Sequence, residues 1–325
     1  MISAKSTGSS FKCKGGLQNL GNTCYLNTSL QCLLHCNTFL NFFLKNNGHH
    51  ECPLFNQLKD VFYKLHILNK CVVPKGLIFM IERTSISNIL DIKSPNDMHE
   101  FLSLFLDVLL EEQKKREKTD FHHFKNIMIG KNQNCIICDL CRDRSLRNED
   151  FSSIMLSFHK QEHESCELIN LNEMICRAFQ DEHIEKRECD GCSSKQNAVK
   201  YTKLYKLPHV LILMIKRYDL KGKRINSGVN VPYSLDLKPL IIRPWKLKGD
   251  QGDSDDQEKE RLKYTKYEIR SIACHIGSQQ NGHYYSLCHD TKNKIWWKID
   301  DEKAEQIEIL PHSRDYYCLF YEKIK

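Results

Sequence analysis

Two cysteine pairs, far apart in the chain, constrain the fold more than any other feature of the sequence. Cys138 and Cys141 form one C-x2-C pair, Cys189 and Cys192 form the other, and 47 residues lie between the pairs. Four thiolates on two such turns match a structural zinc site, which is tetrahedral and has no open position for catalysis. Because the gap exceeds that of a compact zinc finger, the metal would join two hairpins within a larger domain. The sequence therefore predicts one structural Zn²⁺ per chain.

A fifth cysteine leaves the register of the first pair open, since Cys135 and Cys138 have the same spacing. The simpler alternative is two accidental pairs in a chain with 16 cysteines.

The N-terminal sequence lacks the apolar core of a secretory signal, so we expect an intracellular location, in the cytoplasm, the nucleus or both. In a reducing compartment, paired cysteines indicate metal binding or catalysis rather than disulfides.

Composition and charge exclude some classes of protein. The chain has 325 residues, of which 41% are hydrophobic and 27% are charged, which is typical of a globular protein with a core. The net charge of +7 is modest and scattered, so it does not indicate nucleic-acid binding. The longest apolar run, 210–215, is too short to cross a bilayer, and we expect no membrane partner.

Predicted helices precede predicted strands, which favours an α+β fold over alternating βαβ units. A helix is expected to begin near Cys24, and a second one is expected to have Ser94 as its N-cap and Pro95 in its first turn. The apolar residues on one face of the first helix are Leu26, Leu30, Leu33 and Leu34. Strands are expected at 211–218, 267–276, 282–289, 294–299 and 316–322.

Cys24 has the sequence context of a reactive thiol. Gly21 and Asn22 permit a tight turn that would place Cys24 at the start of a helix, where the helix dipole favours the thiolate. Asn19 could donate an amide N–H to an oxyanion beside it. By itself this pattern is weak, because most cysteines at such positions are inert core residues.

The far end of the chain offers partners for that thiol. His283 follows a glycine at the start of a predicted strand, and Asp300 ends the next strand. Antiparallel pairing of these strands would bring the carboxylate to the imidazole. A carboxylate that orients an imidazole, which in turn deprotonates a thiol, is the general arrangement of an activated nucleophile.

Several separated segments resemble the motifs of ubiquitin-specific proteases. GLQNLGNTCYLNTSLQCL resembles the cysteine box of that family, and NGHYYSL and WWKIDD resemble the two parts of its histidine box. LPHVLILMIKRY and the terminal YYCLFYEK are similar to its strands. The resemblance runs from about Gly16 to Glu322, with the motifs in the family's order. It implies a papain-like cysteine protease fold with a thumb, zinc-containing fingers and a palm.

The resemblance also implies roles for individual residues. Cys24 matches the nucleophile, His283 the general base and Asn19 the oxyanion-hole donor. Asp300 matches the residue that orients the histidine, in preference to Asp301. The implied reaction is thiol-dependent hydrolysis of the peptide or isopeptide bond after the C-terminal glycine of ubiquitin, with no cofactor for catalysis. The register Cys138–Cys141 is favoured for zinc, because Ser145 and Phe151 then fit the family's fingers pattern.

The implied partners are ubiquitin and ubiquitinated proteins, bound by a monomer with no specific nucleic-acid contact. Asp97 matches the family residue that holds the basic ubiquitin tail, and Tyr284 is expected to pack against the same tail. The segment around Asp97 departs from the family pattern at Asn96, where glutamine is usual. The simpler role of Asp97 is stabilisation of a helix N-terminus, and both roles are compatible.

The implied domain organisation is a lead-in followed by one catalytic domain. The lead-in covers residues 1–15 and the catalytic domain covers residues 16–325. Its predicted subdivisions are a thumb at about 16–120, fingers at about 121–205 and a palm at about 206–325. Residues 249–261 contain six acidic side chains and no apolar one, which predicts a surface loop insertion in the palm.

Two other classes of protein remain as alternatives. A zinc-ribbon nucleic-acid binder would explain the paired cysteines and the positive charge, but not the motifs around Cys24, His283 and Asp300. A pseudo-enzyme that binds ubiquitin without cutting it would be expected to lack a catalytic residue, and all are present in this sequence.

Overall fold

The computed structural model describes residues 15–115, 118–163, 168–241, 263–278 and 281–324. The chain forms two compact units, Met1–Arg116 with Arg270–Pro311 and Glu117–Ile269 with His312–Lys325. The acidic segment 249–261 and all of the predicted lead-in except Gly15 lie outside the described residues.

Helices dominate the first part of the described chain and strands dominate the rest. The α-helices are α1 Cys24–Leu34, α2 Asn37–Lys45, α3 Pro53–Phe62, α4 Lys75–Ile81, α5 Met98–Lys114, α6 Lys118–Met128 and α7 Leu171–Ala178. The strands are β1 Gly130–Cys138, β2 Arg144–Phe151, β3 Ile154–Leu156, β4 Ile169–Asn170, β5 Glu182–Cys189, β6 Ser194–Lys206, β7 Val210–Ile215, β8 Val229–Asn230, β9 Ser234–Asp236, β10 Lys266–Gly277, β11 Gly282–Asp290, β12 Ile295–Asp300, β13 Lys303–Ile307 and β14 Tyr316–Lys323. This order confirms the predicted α+β class.

In the first unit, α1 is buried on every side. All of its residues from Cys24 to Leu34 are buried, including polar ones such as Thr28 and Gln31. The predicted helix is therefore confirmed. It is buried on all sides, whereas the sequence predicted burial of one apolar face. A helix enclosed in this way has its first turn fixed by packing from all directions.

The sheet of the first unit carries the strands predicted around His283. Its strand order is β13-β12-β11-β10, and β11 pairs antiparallel with both β10 and β12. The register aligns Ser286 with Ile299 and Ile276 with His283. Because β12 ends where β11 begins, antiparallel pairing places Asp300 beside His283.

The expected start of the second helix is wrong. α5 begins at Met98, and its N-cap is Asp97 rather than Ser94. The carboxylate of Asp97 accepts a hydrogen bond from the backbone N–H of Glu100 at 2.9 Å. Ser94 instead hydrogen-bonds Asp91 in the preceding turn, at 2.6 Å, so it has no helix to cap.

The second unit contains a separate four-stranded antiparallel sheet of order β2-β1-β6-β5. It also contains the strand order β14-β7-β3, in which β7 ends at Ile215, before the predicted end of that strand. Arg217 follows β7 and is 1% exposed. Its guanidinium donates hydrogen bonds to the carbonyl oxygens of Tyr316 at 2.8 Å and Ser313 at 2.7 Å.

Among the described residues, the structure has no helix that is both long and apolar enough to cross a bilayer.

Candidate active site

The predicted nucleophile lies at the first residue of α1. Gly21 and Asn22 both have positive φ, at 93° and 55°, so the chain turns sharply before the helix, as predicted. Cys24 is 9% exposed. The backbone N–H groups of the first helical turn have no partner within the helix, and their dipoles favour a negative charge at this end.

His283 joins that thiol to a carboxylate. Its Nε2 lies 2.6 Å from Oδ1 of Asp300, and it also hydrogen-bonds the Cys24 side chain. With Nε2–H donating to Asp300, the other ring nitrogen, Nδ1, is the acceptor that faces the thiol. The structure thus brings Cys24 to two residues that lie more than 250 positions later in the sequence.

These contacts change the proton affinity of the imidazole. The hydrogen bond with Cys24, together with the hydrogen bond and the charge of Asp300, raises the pKa of His283 to about 9, against the opposing effect of burial. The His283 and Asp300 side chains are 36% and 35% exposed, so solvent still screens their interaction. A histidine in this state readily keeps a proton taken from the thiol.

Asn19 lies just before the helix, with its amide in a fixed orientation. Its Oδ1 accepts hydrogen bonds from the backbone N–H groups of Gly21 at 3.0 Å and Thr23 at 3.1 Å. Its Nδ2 donates to Oδ2 of Asp301 at 2.9 Å. One of the two amide hydrogens is used in this way. The predicted oxyanion role of Asn19 stays a prediction.

Asp301, which the sequence analysis placed second to Asp300, is also part of the hydrogen-bonded site. It has a positive φ of 50°, and its carboxylate hydrogen-bonds residues in and just before α1. Its Oδ1 accepts from Nδ2 of Asn27 at 2.8 Å while its Oδ2 accepts from Asn19. The only signal in the sequence was the doubled carboxylate at a strand end. The ligand atoms of His283, Asp300 and Asp301 lie within 4.8 Å of one another, but these hydrogen bonds already account for that grouping.

The backbone before Cys24 is held on two sides. Leu17 N donates to the carbonyl oxygen of Asp301 at 2.8 Å, and Gln18 N donates to that of Val72 at 2.9 Å. Gly16 approaches Asp301 so closely that a Cβ atom there would lie 2.2 Å from the Asp301 carbonyl oxygen. Glycine is therefore required at residue 16 for this approach.

The two predicted tail-binding residues lie near each other. The Tyr284 hydroxyl accepts a hydrogen bond from the backbone N–H of Met98 at 3.4 Å, and Met98 directly follows Asp97. Tyr284 is 7% exposed, and its ring centroid lies 4.3 Å from that of His275. The capping role of Asp97 is thus present in the structure, while contact of either residue with a substrate tail stays a prediction.

Asn96, which departs from the family pattern, has a local structural role. Its Nδ2 lies 2.8 Å from the carbonyl oxygen of Asp91 and 3.1 Å from the hydroxyl of Tyr25. Tyr25 directly follows Cys24 and donates to the carbonyl oxygen of Ile92 at 3.1 Å. Asn96 therefore ties the loop before α5 to the first turn of α1.

The four predicted zinc ligands meet in the second unit. The turn between β1 and β2 holds Cys138 and Cys141, and the turn between β5 and β6 holds Cys189 and Cys192. Because β1 and β6 are neighbours, both turns lie at the same end of the sheet. The four sulfur atoms lie within 4.8 Å of one another.

The geometry of this cluster fits a tetrahedral metal. Cys141 Sγ and Cys189 Sγ are 3.5 Å apart, whereas four sulfurs at about 2.3 Å from a central zinc would be separated by about 3.8 Å. A hydrogen bond from the backbone N–H of Cys141 lowers the pKa of Cys138 to about 7. Against a backbone hydrogen bond from Asp143, burial and hydrogen bonds with the other three cysteines raise the pKa of Cys141, so the metal-free cluster shares its protons among the sulfurs. A thiolate donor set of this kind suits zinc.

The structure also decides the register that the sequence left open. Cys135 is fully buried within β1, opposite Leu146 and Tyr201, and does not belong to the sulfur cluster. Burial raises the pKa of its thiol, which disfavours the thiolate. The predicted pair Cys138–Cys141 is the one that meets Cys189 and Cys192.

A thiol bonded to an imidazole, which is in turn bonded to a carboxylate, defines the thiol-hydrolase class of site. The family of ubiquitin carboxyl-terminal hydrolases matches residues 15–321. The chain therefore belongs to the ubiquitin carboxyl-terminal hydrolase family, and the family predicted from the motifs is confirmed.

The chain is similar to curated members of that family over most of its length. It is 25% identical to ubiquitin carboxyl-terminal hydrolase 5 of Saccharomyces cerevisiae over 361 aligned residues, which cover 95% of this chain and 44% of the relative. It is 27% identical to the mouse ubiquitin carboxyl-terminal hydrolase 17-like protein B, covering 94% of this chain and 63% of that protein. The chain thus spans less than two thirds of either relative.

The fold is similar to that of a solved deubiquitinase module. The match is to the structure of the SAGA Ubp8/Sgf11/Sus1/Sgf73 DUB module bound to ubiquitin aldehyde, with a TM-score of 0.75 and 22% identity. It covers 98% of this chain and 71% of the matched chain. The predicted fold class, that of the ubiquitin-specific proteases, is confirmed by this likeness.

Proposed function

We propose that the protein is a deubiquitinating thiol hydrolase that cleaves the peptide or isopeptide bond after the C-terminal glycine of ubiquitin. The observation that carries this proposal is the hydrogen-bonded series Cys24, His283 and Asp300, with 2.6 Å between the imidazole and the carboxylate. Family membership supplies the substrate class. The related module whose fold is similar was solved bound to ubiquitin aldehyde.

The proposed reaction begins with proton transfer from the Cys24 thiol to His283. The thiolate attacks the carbonyl carbon of the terminal glycine, and negative charge moves onto the carbonyl oxygen. The second amide hydrogen of Asn19 and the free N–H groups at the start of α1 would stabilise this oxyanion. Asp300 holds the imidazolium that has formed and fixes its orientation.

The second half of the reaction regenerates the thiol. The imidazolium of His283 gives its proton to the leaving amine as the carbon–nitrogen bond breaks, which leaves ubiquitin joined to Cys24 as a thioester. A water molecule then loses a proton to His283 and attacks the thioester carbon. The carbon–sulfur bond breaks and the thiolate takes back the proton held by His283. Ubiquitin leaves as a carboxylic acid, which loses its proton to solvent and becomes a carboxylate.

We further propose that Cys138, Cys141, Cys189 and Cys192 hold one structural zinc ion. Four thiolates leave no open coordination position, so this metal would stabilise the β2-β1-β6-β5 sheet and take no part in the chemistry. The sulfur spacing and the donor type both support the proposal.

For the ubiquitin tail we propose contact with Asp97 and Tyr284. Ubiquitin ends in Leu-Arg-Gly-Gly, and a carboxylate at the N-terminus of α5 could pair with the arginine. The hydrogen bond between Met98 and Tyr284 supports a shared location, because Tyr284 directly follows the proposed base His283.

The test is turnover of ubiquitin whose C-terminal carboxyl group carries a fluorogenic amide, alongside the same amide on ubiquitin-like modifiers. We expect the wild-type protein to release the fluorophore from ubiquitin and Cys24→Ala to release none. A protein that binds ubiquitin but releases nothing would be a pseudo-enzyme, and this result would contradict the proposal. Preferential turnover of another modifier would correct the substrate while leaving the chemistry in place.

A further inference from the structure

We propose that Asn27, inside α1, is a positioning residue for this reaction: it holds Asp301 and, through Asp301, the amide of Asn19. The inference rests on the proposed function, since it concerns the step in which an oxyanion forms. Asn27 does not touch the reacting atoms. Its effect on catalysis would pass through two other side chains.

Asn27 connects three segments of the chain. It is 1% exposed, and its Nδ2 donates to Oδ1 of Asp301 at 2.8 Å. The same nitrogen lies 3.2 Å from the carbonyl oxygen of Leu17 and 3.4 Å from that of Gln18. The shortest contact goes to the carboxylate, which is the strongest acceptor of the three. One side chain therefore links α1, the backbone before Cys24 and the turn after Asp300.

The amide oxygen of Asn27 indicates that the hydrogen bond to Asp301 is kept even though the oxygen itself stays unpaired. Oδ1 of Asn27 is buried and has no hydrogen-bond partner among the described residues. A buried acceptor in this state is unfavourable, so its presence needs an explanation. If the amide turned over to satisfy Oδ1 elsewhere, a carbonyl oxygen would face the Asp301 carboxylate and the donor would be lost.

Asp301 passes this constraint on to Asn19. Its two carboxylate oxygens are divided between Asn27 at 2.8 Å and Asn19 at 2.9 Å. A carboxylate free to rotate would not fix the direction of the Asn19 amide, whereas one anchored through its other oxygen does. Because the Oδ1 side of Asn19 is already held by Gly21 and Thr23, the amide is fixed at both ends.

Helix α1 fixes the position of Asn27 relative to Cys24. Asn27 lies three residues after Cys24, so the two side chains are on neighbouring turns of α1. Its backbone N–H donates to the carbonyl oxygen of Thr23 at 3.0 Å, which is the first hydrogen bond of the helix. The anchor for Asp301 is therefore rigid with respect to Cys24, which suits a donor that must be placed accurately.

The test compares Asn27→Leu, which keeps the size of the side chain but removes its donor, with the wild-type enzyme. We expect kcat for a ubiquitin amide to fall about 10- to 100-fold with KM nearly unchanged, because a misplaced donor weakens only the transition state. Alkylation of Cys24 by iodoacetamide forms no oxyanion, so its rate should stay within about twofold of wild type. A matched control is Ser29→Ala, which removes another fully buried polar group of α1; among the described residues its hydroxyl donates to the carbonyl oxygen of Tyr25 within the helix.

A double-mutant cycle separates positioning from a general structural role. If Asn27 acts through Asn19, adding Asn27→Leu to Asn19→Ala should lower kcat by less than about threefold further. Three results would each overturn the inference. The first is a double mutant whose loss of kcat equals the product of the two single losses, and the second is a loss in Ser29→Ala equal to that in Asn27→Leu. The third is iodoacetamide alkylation that slows in parallel with turnover. A wild-type protein without turnover would overturn the proposed function, and this inference with it. Normal turnover in Asn27→Leu would overturn the inference alone.

Discussion

Replacing Asp300 with asparagine should shift the alkaline limit of activity to lower pH. The change keeps a hydrogen-bonding group beside His283 but removes the negative charge 2.6 Å from Nε2. The protonated imidazole is favoured by that charge, and the pKa of His283 is raised to about 9 in the intact site. Activity that depends on a thiolate paired with an imidazolium should therefore persist up to about this pH and fall above it.

The size of the shift follows from the separation of the two charges and their exposure. Opposite unit charges about 4 Å apart interact by about 1 kcal/mol in water and by about 4 kcal/mol at an effective dielectric constant of 20. Because both side chains are more than one third exposed, the lower part of this range applies, at about 1–2 kcal/mol. This corresponds to about one pKa unit. The alkaline limb of the pH profile, which is the pH range in which activity falls, should therefore move from about pH 9 to roughly pH 8.

The assay is kcat/KM for a fluorogenic ubiquitin amide between pH 6 and pH 10, together with the rate of Cys24 alkylation over the same range. The control is Asp301→Asn, which removes a neighbouring carboxylate that bonds Asn19 and Asn27 rather than His283. We expect Asp301→Asn to lower kcat and to shift the alkaline limb less than Asp300→Asn does, because the Asp301 carboxylate lies within 4.8 Å of the imidazole but hydrogen-bonds Asn19 and Asn27 instead. An Asp300→Asn enzyme with an unchanged alkaline limb would refute the assignment of that limb to His283.

The linked effect on folding has a defined sign. A histidine whose pKa is raised on folding contributes stability that is full below its unfolded value of about 6.5 and is lost as the pH rises through about 9. Asp300→Asn should therefore reduce the free energy of unfolding at pH 6.5 and have little effect at pH 10. Urea denaturation at the two pH values measures this difference.

Other parts of the molecule give four further predictions. Cys189→Ala should lower bound zinc from about one equivalent to none and lower Tm, whereas Cys135→Ala should keep the metal; fully folded, metal-free wild-type protein would contradict this. Glu112→Gln should lower the free energy of unfolding in urea by about 1–3 kcal/mol, because the buried carboxylate accepts two backbone N–H bonds at the start of α3. Asp97→Asn should raise KM for a ubiquitin substrate without lowering Tm, since asparagine also caps helices, whereas Asp97→Ala should do both; an unchanged KM would remove the tail role. Burial lowers the pKa of His35 to about 4, so stability should fall as the pH drops from about 6.5 towards 4, and His35→Gln should reduce that dependence.

The sequence predicted those parts of the site that local pattern determines. A glycine–asparagine turn before a helix placed Cys24, and two predicted strands rich in aromatic and β-branched residues placed His283 and Asp300. Each depends on backbone preferences within a few residues, which is where sequence reasoning is strongest. The cysteine spacing was similarly informative, because a tetrahedral metal requires its ligands to meet wherever they lie in the chain.

The features that the sequence did not reveal depend on long-range contacts or on competing local bonds. The role of Asp301 could not be separated from that of Asp300 without knowing that its carboxylate hydrogen-bonds Asn19, 282 residues earlier. Ser94 had the sequence pattern of an N-cap, but its hydroxyl hydrogen-bonds Asp91 instead. Residue propensities do not predict whether a serine will bond a helix N-terminus or a neighbouring side chain. The role of Asn27 was hidden for the same reason, since its carboxylate partner lies at the other end of the chain.

The most direct test of the central claim is intact-mass analysis after reaction with ubiquitin that carries an electrophile at its C-terminus. We expect wild-type protein to gain the mass of one ubiquitin, Cys24→Ala to gain none, and His283→Ala to react far more slowly. Labelling that persists in Cys24→Ala, or that proceeds at the wild-type rate in His283→Ala, would contradict a mechanism in which this imidazole activates this thiol.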